Sequence, residues 1–135
     1  MPVVENSVRI YFIQLNNGGP ICGDSAVPIA TSIARTGDIP KDVEAALDLL
    51  LSYKSKYVGD YYNPVHNANM KVSRVNFDSG LITVRFVGTI TRTKDHCERA
   101  RLKAQIWNTI KQFKDITSNN IYLNNAPLGD MLSNE

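Results

Sequence analysis

The chain has little of several things, and each scarcity narrows what it can be. Its two cysteines, Cys22 and Cys97, allow one disulfide or two free thiols. Their distance in sequence and the lack of a CxxC spacing argue against a redox-active pair or a zinc ribbon. No apolar run approaches the roughly 18 residues needed to span a bilayer. Fifteen basic side chains against thirteen acidic ones leave a net charge of only +2, too balanced to argue for nucleic acid. There is no phosphate-binding GxxxxGKS/T, no GxGxxG, no GxSxG, no HExxH and no Asn-x-Ser/Thr sequon. The two histidines, His66 and His96, have no ligand partner at metal-site spacing, and His96 and Cys97 are sequence neighbours that do not face each other as base and nucleophile. No metal, cofactor or catalytic residue is expected.

What is present is an ordinary 43% apolar composition over 135 residues, enough for one core and short for two, so residues 1–135 read as one domain. Val8 to Leu15 is β-branched and aromatic and reads as a strand, with Val8, Ile10 and Phe12 on one face. Asn16 to Pro20 reads as a turn, and Ala26 to Ala34 as a second strand whose Pro28 belongs at a sheet edge or bulge. Asp38 caps a helix with Pro40 in its first turn, and Val43, Ala46, Leu47, Leu50 and Leu51 recur at helical spacing until the helix ends near Tyr53 to Tyr57. Gly59 to Met70 reads as a polar, Asn-rich loop. Val72 to Phe77 and Leu81 to Thr89 form a hairpin around Asp78-Ser79-Gly80. Asp95 to Glu98 caps a second helix reaching about Phe113, with Leu102, Ile106, Ile110 and Phe113 on one side. A last strand at Asn120 to Leu123 is followed by a turn and a short tail ending in Met131-Leu132. The predicted order is β-β-α-β-β-α-β, an α+β, two-layer fold with two helices on one face of a mixed sheet.

Charge is uneven. Residues 1–67 carry five positive and seven negative side chains, residues 68–135 ten and six, and the densest basic stretch runs from Arg92 to Lys103. Tyr57, Tyr61 and Tyr62 lie near Lys54 and Lys56, as a stacking patch or as a packed helix end. Tyr61, Tyr62, Arg99 and Arg101 are the candidate interaction residues.

The ordered set of elements resembles the sporulation-and-germination (GerMN) domain family of bacterial envelope proteins. VRIYF at Val8 to Phe12 resembles the family's first strand and VEAALDLLL at Val43 to Leu51 its first helix. VSRVNFDSGLITVRF at Val72 to Phe86 resembles its hairpin. AQIWNTI at Ala104 to Ile110 resembles its second helix, and IYLNNAPL at Ile121 to Leu128 its closing strand and turn, with Asn125-Ala126 where glycine is commoner. The resemblance spans about residues 8–132. It implies an extracytoplasmic, non-catalytic interaction domain that binds another protein or cell-wall material. It also implies attachment to the membrane only through a removed leader or lipid. The balanced charge leaves no nucleic-acid partner expected, and weak self-association is a further expectation. The predicted topology lets Cys22 and Cys97 meet at one end of the sheet, and the oxidising compartment implied by the resemblance supports a Cys22–Cys97 disulfide. Reduced cysteines and no leader would instead place the chain in the cytoplasm. The alternatives are a small enzyme with a cryptic site in loop 59–70, or a weak nucleic-acid-binding module using the Arg92–Lys103 stretch and the hairpin strand around Arg85.

Overall fold

The structure, a computed structural model, describes residues 6–129. The tail at Met131-Leu132, and the outer ends of the expected 1–135 domain and 8–132 core, lie outside the described residues. The chain order is β1 (Ser7–Gly19), β2 (Gly23–Ala34), α1 (Ile39–Ser52), β3 (Tyr57–Val58), β4 (Tyr61–Tyr62), a 3-10 turn (Pro64–Asn67), β5 (Ala68–Asp78), β6 (Leu81–Ile90), α2 (His96–Lys111), β7 (Ser118–Leu123) and β8 (Ala126–Pro127). The α+β class and the order of the seven expected elements hold, with three short strands added. The strands divide into two four-stranded sheets rather than one. The first has the order β2-β1-β4-β3 and is antiparallel; the second has the order β5-β6-β7-β8 and is mixed, because β7 runs parallel to β6.

Local chemistry explains most of these boundaries. Asp38 accepts from the Lys41 amide at 3.2 Å and starts α1, and Asp95 accepts from the Cys97 and Glu98 amides and starts α2. The β5–β6 turn places Ser79 (φ 50°) and Gly80 (φ 89°) in the left-handed region, as a two-residue turn matched to strand twist requires. Gly88 (φ 129°) has a different reason: a Cβ there would press on the Asn69 carbonyl of the neighbouring strand. Pro28 sits on β2, an edge strand, where its missing N–H interrupts no ladder.

Both helices turn their apolar faces inward. α1 packs on β1 and β5, α2 packs on β1 and β2, and the two helices touch each other. Val43, Ala46, Leu47 and Leu50 of α1 join Leu102, Ile106 and Ile110 of α2, Val8, Ile10 and Phe12 of β1, and Ile82, Val84 and Phe86 of β6 in one buried cluster.

The segment read as a polar loop, Gly59 to Met70, is the main departure. It holds β4, the 3-10 turn and the start of β5, and Tyr62, Asn63, Pro64, Val65, Ala68 and Met70 are buried. The physical reason is a buried amide pair. Asn63 donates from Nδ2 to the Tyr53 and Ser55 carbonyls, and its Oδ1 accepts from Gln105 Nε2 at 2.8 Å. Gln105 also donates to the Tyr11 carbonyl at 2.9 Å and accepts from the Val65 amide at 3.1 Å. Two side-chain amides thus satisfy backbone groups that no ladder reaches, which permits polar residues inside. Gln105→Leu keeps the volume and strands three buried partners, so it should destabilise the fold by about 2–3 kcal/mol in urea unfolding. A change under about half a kcal/mol would mean that water replaces the amide without cost.

Candidate functional site

The end of the molecule where the β1–β2 hairpin meets the start of α2 brings Asp24, Tyr62, Glu98 and Arg101 into one chain of contacts. The hairpin closes at Cys22-Gly23, both with positive φ (54° and 86°), flanked by reciprocal 2.9 Å hydrogen bonds between Ile21 and Asp24. Cys22 therefore occupies the tip of a tight turn, where a left-handed residue is needed. Of the expected turn at Asn16 to Pro20, Asn16 to Gly19 instead form the irregular end of β1, and Pro20 begins the turn. Cys97 lies in the first turn of α2, and a disulfide joins it to Cys22 with the Cα atoms 5.8 Å apart.

Two residues beyond Cys22, Asp24 is 1% exposed. Its Oδ1 accepts from the Asn16 amide at 2.8 Å and its Oδ2 from Arg101 Nε at 2.7 Å. Burial pulls the Asp24 carboxyl upward, but the Asn16 amide and the Arg101 guanidinium hold it below the usual 3.8. The hydrogen bond to Asp24 in turn raises Arg101, keeping it cationic. Arg101 Nη1 stands 3.5 Å from Glu98 Oε1, and the other Glu98 oxygen accepts from the Tyr62 hydroxyl. Burial first, and then Glu98, push the Tyr62 phenol well above its ordinary range, so it remains a proton donor. The Tyr62 ring lies edge-on to His66, with centroids 5.7 Å apart, and tilted against Tyr57 at 5.8 Å.

A groove of about 310 Å³ runs over this chain of contacts, lined by Leu15, Lys56, Tyr57, Tyr62, Thr93, Asp95, Glu98 and Arg101. A second, of about 200 Å³, lies on the other side of Glu98 and includes Arg92, Thr93, Arg99 and Leu102. Of the four residues singled out in the sequence, Tyr62 and Arg101 share the first groove. Arg99 lines the second and donates to the Thr93 carbonyl at 2.9 Å. Tyr61 turns away and packs on the core. Tyr57, 53% exposed with the Lys56 ammonium 5.8 Å from its ring centroid, is the aromatic side chain that this end presents to solvent.

Sequence reasoning gave His96 no partner. The structure places its ring beside Cys22 and Cys97, with the potential ligand atoms of all three within 4.8 Å of one another. The His96-Cys97 pair was visible, but the second sulfur arrives from 75 residues away. Asp24, Glu98 and Gln105 were also missed, because each acts through a partner remote in sequence.

The Asp24–Arg101 pair has a pH signature. A carboxyl held below its unfolded value contributes stability that is present above about pH 4 and is lost as pH falls through the folded value. Asp24→Asn should therefore cost about 1–2 kcal/mol at pH 7, and the cost should shrink in acid. Unfolding free energies measured from pH 7 down to pH 2 would check this. A gap between variant and wild type that stays constant below pH 4 would contradict it.

Residues 9–129 match the Germane family, described as sporulation and spore germination. The fold is similar to the first GerMN domain of the sporulation protein GerM from Bacillus subtilis (14% identity, TM-score 0.60), over 93% of this chain and 89% of that one. It is also similar to the tandem GerMN domains of the same protein (17%, TM-score 0.59), covering 88% of this chain but only 39% of that longer one. A candidate lipoprotein from Clostridium perfringens matches over 98% of this chain and 85% of its own (14%, TM-score 0.54). No curated protein matches by sequence. The family match covers nearly the whole described chain, two strands, helix, hairpin, helix and closing strand included, and the chain belongs to the Germane family of sporulation and spore germination.

Proposed function

We propose that the chain is a non-catalytic, extracytoplasmic interaction domain of a bacterial envelope protein, and that it binds another protein or cell-wall material through the groove beside Tyr57. The observation that carries this reading is the engagement of the ionisable groups around that groove. Asp24, Arg101, Glu98 and Tyr62 are tied to one another in a chain of ion pairs and hydrogen bonds that fixes the floor of the groove. Tyr57 and Lys56 instead offer an exposed aromatic and a cation, a combination suited to stacking on a sugar or a peptide. The Cys22–Cys97 disulfide and the likeness to a candidate lipoprotein support a location outside the cytoplasm.

The test pairs wild type with Tyr57→Ala, a substitution at an exposed position that leaves the core intact. Both are incubated with purified sacculi and with a solubilised envelope fraction. The wild type should be retained by one of the two, and the variant should bind about tenfold more weakly, roughly 1.4 kcal/mol. Equal retention of both would move the contact face elsewhere. Turnover of peptidoglycan or an ester by the isolated domain would replace the reading with an enzymatic one.

A further inference from the structure

We propose that the Cys22–Cys97 disulfide has a second state: once reduced, the two thiolates and His96 form a three-ligand site for zinc(II). The inference does not rest on the interaction reading above, and it describes the domain once a dithiol has opened the bond that the reading cites. It rests on what remains when the sulfur–sulfur bond is cut. Cys22 is held at its hairpin tip by the paired Ile21 and Asp24 backbone hydrogen bonds, and that hairpin is tied to α2 by the Asp24–Arg101 contact at 2.7 Å. Cys97 and His96 are held by the Asp95 cap, whose carboxylate accepts from the Cys97 amide at 2.9 Å. None of these contacts passes through the disulfide, so reduction leaves two thiols facing each other with an imidazole beside them.

The distances suit the ion. Zn–S bonds near 2.3 Å and a Zn–N bond near 2.0 Å in a tetrahedron set ligand atoms about 3.5–3.8 Å apart. The three ligand atoms here lie within 4.8 Å of one another, so the sulfurs need only part from bonding distance and the ring swing inward. Two thiolates with an imidazole select a borderline-soft ion such as zinc over calcium or magnesium. Cys22 and His96 are exposed, which gives the ion a path in and leaves the fourth position to water.

The chemistry balances with a dithiol as reductant. The dithiol sulfurs close into their own disulfide and pass two electrons and two protons to Cys22 and Cys97. Zinc then displaces those two protons as the Zn–S bonds form, while neutral His96 donates a nitrogen lone pair.

The experiment uses the full chain, reduced with dithiothreitol and freed of it under argon, then titrated with cobalt(II) as a visible stand-in for zinc. One equivalent should produce thiolate-to-cobalt charge-transfer absorption that zinc abolishes, while the oxidised chain gives none. His96→Ala should retain the thiols but bind at least about tenfold more weakly, and Cys22→Ser should lose most of the charge-transfer band. Circular dichroism accompanies each titration. A reduced chain that is folded and shows no band overturns the proposal, as does unchanged affinity in His96→Ala or an equal band from the oxidised chain. If reduction unfolds the chain, refolding on addition of zinc supports the site, and failure to refold overturns it.

Discussion

Ile106→Ala and Leu50→Ala should each lower the free energy of unfolding by about 2–5 kcal/mol. The two side chains are 1% and 0% exposed, one on each helix, and both belong to the cluster that includes Ile82, Val84 and Phe86 of β6. Truncation removes three side-chain carbons from contact and leaves a void bounded by strands on one side and the other helix on the other. Hydrogen-bonded strands cannot easily move to fill such a space, so the cavity cost adds to the lost transfer energy. Lys103→Ala, on the exposed side of α2, is the control and should stay within about half a kcal/mol of wild type. Urea unfolding followed by far-ultraviolet circular dichroism would measure all three. Losses below about half a kcal/mol at both Ile106 and Leu50 would mean that the helices dock by other faces.

Those helix faces were legible because they are written locally. Asp38 and Asp95 announce their helices with a capping carboxylate, and the residues beneath recur every three or four positions, so no distant partner is needed to read them. Ser79-Gly80 announces the β5–β6 turn in the same way. The division into two sheets was not legible, since periodicity tells which face of a strand is covered and not which strand lies beside it. Gly59 to Met70 was misread for a related reason. Asn63 looks like a loop residue until Gln105, 42 positions later, is brought to it. The turn at Cys22-Gly23 was hidden behind the stronger turn signal of Asn16 to Pro20, of which the chain uses Asn16 to Gly19 for an irregular strand end. At the candidate site Tyr62 and Arg101 could be named, but not that Glu98 links them or that Asp24 holds the arginine. Tyr61 and Tyr62 are adjacent on a strand, where alternation sends neighbours to opposite faces, and that rule alone separates them.

Removing the disulfide should cost about 4 kcal/mol in the chain-entropy account, because Cys22 and Cys97 close a loop across 75 residues and the cross-link restricts the unfolded chain far more than the folded one. In the folded state the hairpin tip and the start of α2 remain tied by Asp24–Arg101 and by the Asp95 cap, so the native contacts survive and the loss lies in the unfolded ensemble. The Cys22→Ser, Cys97→Ser double variant should therefore keep the native circular dichroism spectrum while its unfolding midpoint falls. Its denaturant m-value should rise, because an unfolded chain without the cross-link exposes more surface. The two effects together distinguish this account from native-state damage, which would lower stability and alter the native spectrum. Asp24→Asn in the double-variant background adds a further check. With the covalent tie gone, Asp24–Arg101 is the main link between hairpin tip and helix, so its removal should now perturb the Cys22 end of β1–β2 in amide exchange as well as lowering stability. A double variant within about 1 kcal/mol of wild type would show that the unfolded chain already keeps these ends close.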